Sequence, residues 1–202
     1  MGRGVQASSG MGTGLVTTRI SGGVHKGRLV RTPRSAGLRP TSERVRAAVF
    51  SIIGAGSVTG KKVLDLYAGT GAFGIDALSR GASSADFVEH NHVLCTAIRG
   101  HLRELSLDSI GKVHRSKVHR MLPNMKGAFD LVIADPPYDS DEFDTVLDEL
   151  QRPGLIADNG IVVLEYRTDA DSIKNVGGFR RLTDRTYGDT AITILEAGDA
   201  NA

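Results

Sequence analysis

Cysteine is nearly absent from this sequence, which has a single one, Cys95, among its 202 residues. A lone cysteine cannot form an intramolecular disulfide, so the composition predicts a reducing compartment, and we expect the cytoplasm. Tryptophan is missing altogether. No apolar run approaches the roughly 20 residues of a membrane-spanning helix, so we expect no membrane insertion. The six histidines show no ligand spacing, and we predict no metal site.

Acidic residues are almost missing from the first 46 residues, although the whole chain carries a net charge of only +2. This segment has nine basic residues against one acid, Glu43, which gives it a net charge of +8 and leaves −6 for the remainder. Such segregation favours binding of a polyanion. The residues that we expect to contact it are Arg28, Arg31, Arg39 and Arg44.

Glycine and proline divide the basic segment into two predicted elements. Turn signals predict a β-hairpin over residues 19–32. A break at Gly37 and Pro40 follows. Thr41 is then the predicted N-cap of a helix that runs to about Ile53.

Strand and helix patterns alternate from residue 61 onwards, which predicts a parallel sheet with helices on both faces. The predicted strands are 63–66, 85–89, one beginning near 113, 129–134, 160–165, and a terminal hairpin of 179–186 and 191–196. The predicted helices are 74–80, 93–105 and 141–151. The run 129–134 is continuously apolar, which is typical of a central parallel strand.

A glycine-rich loop joins the first of these strands to the first helix. It reads DLYAGTGAFG over residues 65–74, a GxGxxG spacing that lets a backbone approach a nucleotide closely. Dinucleotide sites use the same spacing, and Glu89 at the end of the next strand suits a ribose in either case. Asp65 favours S-adenosylmethionine, because a carboxylate here would repel a pyrophosphate but attract the ammonium group of the methionine moiety.

A second motif, Asp135-Pro136-Pro137-Tyr138, follows the apolar strand. Open α/β sheets bind ligands at this end of their strands. An exocyclic amino group of a base is a poor nucleophile, because its lone pair is delocalised into the ring. The Asp135 carboxylate and a rigid proline carbonyl would hold the two N–H bonds, and Tyr138 would stack on the flipped base. The motif therefore predicts methyl transfer to a base amino nitrogen.

With these motifs the chain resembles class I methyltransferases, and more narrowly the bacterial enzymes that methylate guanine N2 in 16S ribosomal RNA. The matching blocks are RISGG at 19–23, KGR at 26–28, GLRPTSERVR at 37–46, VLDLYAGTG at 63–71, FVE at 87–89 and YGDT at 187–190. The resemblance implies an α/β, Rossmann-like, seven-stranded sheet with an antiparallel last strand and a small N-terminal hairpin and helix. It implies S-adenosylmethionine as cofactor and 16S rRNA, within an assembling small ribosomal subunit, as partner.

The resemblance also implies a set of cofactor-binding residues, which are Asp65, Ala68, Gly69, Gly71 and Glu89. Members of the family usually carry an acidic residue just after the third strand, near the adenine amino group. Residues 115–117 here read Arg-Ser-Lys, so the acid is missing at Lys117. We expect Ser116 or main chain to make that contact instead.

The predicted organisation is a disordered leader at residues 1–17, an RNA-binding arm at 18–56 and a methyltransferase domain at 57–198. Two alternatives stay open. A DNA adenine-N6 methyltransferase uses the same catalytic motif, but it normally needs a larger region to read the major groove. A non-catalytic RNA-binding assembly factor could share the fold. A nicotinamide oxidoreductase is disfavoured by Asp65 and by the second motif.

Overall fold

Strands and helices alternate along most of the chain, as the hydrophobic pattern predicts. The computed structural model describes residues 14–35, 38, 40–54, 56–136, 142–168 and 176–198. In chain order these residues form β1 (Leu15–Arg19), β2 (Leu29–Pro33), α1 (Glu43–Ile52), β3 (Lys62–Leu66), α2 (Ala72–Ser79), β4 (Ser84–Glu89), α3 (His92–Glu104), β5 (Gly111–Arg115), α4 (Val118–Met121), β6 (Phe129–Ala134), α5 (Glu142–Leu150), β7 (Ile156–Arg167), β8 (Arg180–Tyr187) and β9 (Thr190–Glu196).

The main sheet has seven strands in the order β5-β4-β3-β6-β7-β9-β8. Strands β3 to β7 are parallel, whereas β9 runs antiparallel to both β7 and β8. The chain leaves β3 towards one edge of the sheet and returns at β6 towards the other. This reversal opens a crevice at the carboxyl ends of β3 and β6, which is where open α/β sheets bind their ligands.

Alternate residues of the central strands pack on opposite faces of the sheet. Val63 on β3 and Leu131 on β6 belong to a buried cluster with residues of α1, α2 and α3. Their neighbours Leu64 and Val132 belong to a second cluster with residues of α4 and α5. A strand points successive side chains to opposite faces, so the sheet is covered on both sides. No helix in the described ranges is long and apolar enough to cross a membrane.

The N-terminal hairpin begins earlier than the predicted leader ends. β1 starts at Leu15 and pairs antiparallel with β2, so that Thr17 lies opposite Arg31. The predicted boundary at residue 17 is therefore wrong, because β-branched residues at 16–18 favour a strand over a disordered tail. Residues 1–13 lie outside the described part of the chain.

Helix α1 is capped by Ser42 rather than by the predicted Thr41. The Ser42 hydroxyl oxygen accepts a hydrogen bond from the Val45 amide at 3.2 Å. The Thr41 hydroxyl is used elsewhere, because it donates to Glu165 at 2.5 Å. Tertiary contact thus decides between two adjacent residues that are both good caps.

A buried ion pair fixes the N-terminal segment to α2. The side chains of Arg46 and Asp76 have no exposed surface, and Arg46 Nε donates to Asp76 Oδ2 at 2.8 Å. Asp76 also accepts hydrogen bonds from the amide and hydroxyl groups of Ser21, at 2.7 and 2.8 Å. Arg46, one of the basic residues counted in the predicted arm, therefore faces the protein core, and its charge is not available to RNA.

Candidate active site

The glycine loop lies between β3 and α2, and three of its residues must be glycine. Gly69 and Gly71 have φ angles of 54° and 73°, which side chains rarely tolerate. Gly74 lies against the sheet, since a Cβ atom there would be 2.2 Å from the ring of Phe87. The loop therefore combines a left-handed backbone with close packing of α2 on β4.

Asp65 is a nearly buried carboxyl group on β3, directly before this loop. Its Oδ2 accepts a hydrogen bond from the Gly74 amide at 2.9 Å. The pKa of Asp65 is raised to about 7, mainly by burial and also by the charges of Glu89 and Asp135, against the lowering effects of the Gly74 hydrogen bond and the Arg46 charge. A cation placed beside this group would favour its ionised form, which fits the predicted contact with an ammonium group.

Glu89 holds the loop in place from the end of β4. Its two oxygens accept hydrogen bonds from the amides of Gly69, at 3.0 Å, and Asn91, at 2.7 Å. Ala68 is also buried and donates its amide to the Val88 carbonyl at 3.1 Å. Each carboxylate oxygen can accept more than one hydrogen bond, so Glu89 keeps acceptor capacity for a ribose hydroxyl.

Two cavities flank the loop and share Tyr67. The larger one has a volume of about 210 Å³, and Glu89, Ser116 and Lys117 contribute to its lining. The smaller one has a volume of about 40 Å³ and includes Asp65 in its lining. S-adenosylmethionine needs a site for a nucleoside joined to a site for a charged amino acid. The residues present fit it, with the nucleoside in the larger cavity and the ammonium group near Asp65.

Ser116 lines the larger cavity. Its amide donates to the Glu89 carbonyl at 3.0 Å, and its hydroxyl donates to the Lys117 carbonyl at 3.2 Å. The hydroxyl oxygen can still accept a hydrogen bond from an amino group. Contact of Ser116 with adenine stays a prediction. Groups of three or more metal-ligating side chains do not occur in the described ranges.

Asp135 follows β6 directly and lines the smaller cavity. β6 lies between β3 and β7 in the sheet, and the negative charge of Asp135 raises the pKa of both Asp65 on β3 and Glu165 on β7. Pro136 is buried behind Asp135. Pro137 and Tyr138 lie outside the described residues, so their predicted roles stay predictions.

Glu165 on β7 is a buried carboxyl group beside the candidate site, bonded to the cavity-lining Thr41, that the motif analysis missed. It is 4% exposed, and burial raises its pKa to about 8, followed by the charge of Asp135. Val163 pairs with Ile133 in the sheet. Two residues further along each of these strands, Glu165 therefore lies level with Asp135. A signal was present in the sequence, because a carboxylate is unusual in an otherwise apolar parallel strand.

The N-terminal segment contributes a wall of the same cavity. Leu38, Pro40 and Thr41 line it together with Asp65 and Asp135. Arg46 supports this wall, since its Nη1 donates to the Thr41 carbonyl at 2.6 Å. The segment predicted as a separate arm is therefore also part of the candidate active site.

The predicted RNA-binding arginines differ in their surroundings. Arg31 on β2 and Arg44 on α1 are exposed. Arg28 is 46% exposed, lies 3.9 Å from Glu104 Oε1, and donates to the Glu104 carbonyl at 3.3 Å. Arg39 lies outside the described residues. Contact of these four with RNA stays a prediction.

Comparison with known proteins gives one family over nearly the whole chain. Residues 18–196 match the model described as conserved hypothetical protein 95. The ribosomal RNA small subunit methyltransferase D of Escherichia coli (strain K12) is 31% identical over 151 residues, which cover 75% of each chain. YlbH of Bacillus subtilis (strain 168) is 28% identical over 181 residues, which cover 88% of this chain and 98% of that protein.

Solved structures share the fold. The Escherichia coli yhhF structure has a TM-score of 0.79 and 26% identity, covering 91% of this chain and 99% of that one. The Thermus thermophilus 16S rRNA N2 methyltransferase RsmC, in complex with AdoMet and guanosine, has a TM-score of 0.71 over 91% of this chain and 50% of that one. At 20% identity the second likeness shows the fold alone.

These findings confirm the predicted fold and the predicted enzyme class, a methyltransferase that uses S-adenosylmethionine. The match spans the N-terminal segment as well as the seven-stranded sheet. The chain belongs to the family described as conserved hypothetical protein 95, to which the ribosomal RNA small subunit methyltransferase D relatives also belong.

Proposed function

We propose that this protein transfers a methyl group from S-adenosylmethionine to the exocyclic N2 of a guanine in 16S ribosomal RNA. The observation that carries the proposal is the meeting of Asp65 and Asp135 at one cavity, at the carboxyl ends of β3 and β6. One carboxyl group suits a cationic cofactor and the other suits an amino nucleophile. The choice of small-subunit ribosomal RNA is supported by the name of the Escherichia coli relative, and the choice of guanine N2 by the resemblance of the sequence blocks to the guanine-N2 enzymes.

The bound cofactor supplies a methyl group that is already activated by its positive sulfur. The protein therefore has to hold and align the reactants, an effect worth up to about 7–11 kcal/mol. Asp65 holds the ammonium end, and Glu89 keeps the glycine loop in shape for the nucleoside end. The positive φ at Gly69 and Gly71 keeps the backbone close to the reacting centre.

Asp135 acts on the base. Its carboxylate accepts a hydrogen bond from one N–H of the guanine amino group, and a carbonyl of the Pro136-Pro137 pair accepts the other. The nitrogen lone pair is then directed at the methyl group, and a bond forms from N2 to that carbon as the carbon–sulfur bond breaks. The nitrogen becomes positively charged, and Asp135 accepts the proton that it loses.

RNA approaches over the basic N-terminal segment. Exposed Arg31 and Arg44, with Arg28 and Arg39, contact phosphates beside the target loop. The substrate is 16S rRNA within an assembling small subunit, which places the enzyme in the cytoplasm with the ribosome. Because the same segment lines the cavity through Thr41, phosphate contacts and the base pocket are set at a fixed spacing.

The direct test uses 16S rRNA from a strain that lacks this protein. Naked RNA and small subunits from that strain are incubated with the enzyme and tritium-labelled S-adenosylmethionine, and nucleosides are identified by mass spectrometry. We expect N2-methylguanosine at one position per transcript, with subunits methylated faster than naked RNA. Product N6-methyladenosine, or label only in duplex DNA, would disprove guanine-N2 methylation. RNA binding with no label would identify an assembly factor without catalysis.

A further inference from the structure

Glu165 is a buried carboxyl group that the protein leaves partly without hydrogen bonds. Thr41 Oγ1 donates to its Oε2 at 2.5 Å. Its other oxygen, Oε1, has no hydrogen-bond partner among the residues that the structure describes. Oε1 is not one of the fully enclosed side-chain atoms that lack a partner in the described residues, so it is open to a donor from outside the chain, and a carboxylate oxygen can accept one.

The sheet sets Glu165 beside the amino-binding carboxylate. Val63 and Val163 pack on the face of the sheet that α1, α2 and α3 cover. Asp65 and Glu165 each lie two residues further along the same strands, so their side chains point to that face as well. Glu165 is level with Asp135 on the neighbouring parallel strand, and such strands lie about 4.8 Å apart. A base whose amino group contacts Asp135 can therefore place its ring nitrogen N1 towards Glu165.

That ring atom distinguishes the three bases that carry an exocyclic amino group. In guanine the ring nitrogen next to the amino-bearing carbon on the Watson–Crick edge, N1, carries a hydrogen and is a donor. In adenine and cytosine the corresponding ring nitrogens are acceptors. A carboxylate at this position attracts guanine and repels the other two.

We propose that Glu165, oriented by Thr41, selects guanine by accepting a hydrogen bond from its N1–H group. This rests on the proposed function, because it assigns the base-reading residue of the same site. Asp135 then contacts the amino group that reacts, and Glu165 contacts the neighbouring ring position that does not react.

The groups around Glu165 bear on its protonation. Burial and the charges of Asp135 and Asp65 favour the protonated form, while the Thr41 hydrogen bond and the Arg46 charge favour the carboxylate. A protonated Glu165 would donate to an acceptor nitrogen instead. The N1–H group of guanine adds one more hydrogen-bond donor, which favours the carboxylate form of Glu165. Binding of guanine therefore stabilises the ionised form, which is the form that selects guanine.

The test compares two bases at the target position once that position has been mapped. Ligated 16S rRNA is made with either guanosine or 2-aminopurine riboside there. Both bases carry the 2-amino group, but N1 of 2-aminopurine is an acceptor. We expect wild-type kcat/KM to favour guanosine at least about 100-fold, because a site built for a donor is left unpaired by its absence.

The variant Glu165→Gln should reverse part of this preference. Its amide oxygen can keep the hydrogen bond from Thr41, which leaves the amide NH2 in the place of Oε1. That group donates to the acceptor N1 of 2-aminopurine, so we expect the preference for guanosine to fall at least about tenfold. Thr41→Val, which removes the orienting hydroxyl, should lower the preference by a smaller factor.

The matched control is Glu196→Gln. Glu196 ends β9, lies opposite Ile161 near the start of the parallel part of β7, and pairs with Arg180, away from the cavity. Its base preference should equal that of the wild type. An unchanged preference in Glu165→Gln, or equal use of both bases by the wild-type enzyme, overturns the role of Glu165. If the wild-type enzyme methylates neither RNA, the proposed function fails instead. The wild-type comparison stands even if the variant does not fold.

Discussion

The candidate active site has two sides that are built in different ways, one that we propose for the cofactor and one that we propose for the base. The cofactor side, at the ends of β3, β4 and β5, comes mostly from one stretch of chain, and backbone amides satisfy its carboxyl groups. The substrate side, at the ends of β6 and β7, brings together Thr41, Asp135 and Glu165, of which Thr41 and Glu165 are 124 residues apart. A pocket for an invariable cofactor can be local, whereas base reading here depends on the N-terminal segment being fixed to the sheet.

The largest effect should come from detaching that segment. Arg46→Ala removes one partner of the buried pair and leaves Asp76 as an uncompensated buried charge. We expect a loss of about 3–5 kcal/mol in the free energy of unfolding, measured by urea denaturation. The Thr41 carbonyl also loses its hydrogen bond from Arg46, so any folded fraction should lose RNA methylation more than cofactor binding.

Arg44→Ala is the control for this prediction. Arg44 lies on the same helix but is exposed, and surface substitutions usually change stability by less than about 0.5 kcal/mol. Equal unfolding free energies for the two variants would show that the N-terminal segment is not held by the buried pair.

The next largest effect should separate chemistry from cofactor binding. Asp135→Ala removes the acceptor that orients the amino group, so we expect the single-turnover rate to fall at least about 100-fold, or about 2.7 kcal/mol. The dissociation constant for S-adenosylhomocysteine, measured by isothermal titration, should change less than about threefold. A variant with near-normal turnover would exclude Asp135 from catalysis.

Asp130→Ala tests whether any lost carboxylate on this strand has the same effect. Asp130 also belongs to β6, but it lies at the opposite end and accepts hydrogen bonds from the Lys61 side chain and the Lys62 amide. We expect some loss of stability and a normal turnover rate for the folded protein.

The sequence predicts the cofactor side well because its chemistry is contiguous. The GxGxxG spacing, Asp65 before it and Glu89 at the end of the next strand each follow from a local pattern, and the structure places them around one loop. The continuous apolar run before Asp135 likewise predicts a central strand. The seven-stranded sheet with an antiparallel last strand is implied by the resemblance to class I methyltransferases, and the structure confirms it.

The substrate side could not be predicted in the same way. In the sequence Thr41 has the features of a helix cap, but in the structure its hydroxyl donates to Glu165. In the sequence Arg46 belongs to a basic segment, but in the structure it pairs with the buried Asp76. Both assignments depend on tertiary partners that no local pattern identifies. Glu165 alone carried a usable signal, a carboxylate within a buried strand.

A third prediction concerns the pH dependence of stability, which Glu165 on the substrate side should control. Glu165 has a pKa of about 8 when folded against 4.5 for its ordinary value, so the folded state binds more protons than the unfolded state between these values. The wild-type protein therefore loses stability as the pH rises towards 8. Glu165→Gln cannot ionise at this position, so its stability relative to wild type should increase by ~2.7 kcal/mol between pH 6 and pH 9.

Urea denaturation of both proteins without ligands, at pH 6 and pH 9, measures this difference. Asp65, whose pKa is also raised, titrates in both proteins, so its contribution cancels except for its interaction with the Glu165 charge. Glu196→Gln should show no such dependence, because its carboxylate pairs with Arg180 at the surface. A constant difference between Glu165→Gln and wild type would mean that Glu165 is ionised throughout.

The smallest effect should come from the exposed arginines, and it sharpens the comparison by testing the N-terminal segment without disturbing its fold. Arg31→Ala and Arg44→Ala should leave unfolding free energy and cofactor affinity unchanged. Each lost phosphate contact should reduce the slope of the logarithm of the RNA association constant against the logarithm of the salt concentration by roughly 0.7–0.9. Filter binding at about 50 to 200 mM salt, where phosphate contacts depend strongly on salt, measures this slope. Arg180→Ala, an exposed arginine on β8, should leave the slope unchanged. If all three variants have the wild-type slope, the N-terminal segment positions Thr41 in the site but does not bind RNA phosphates.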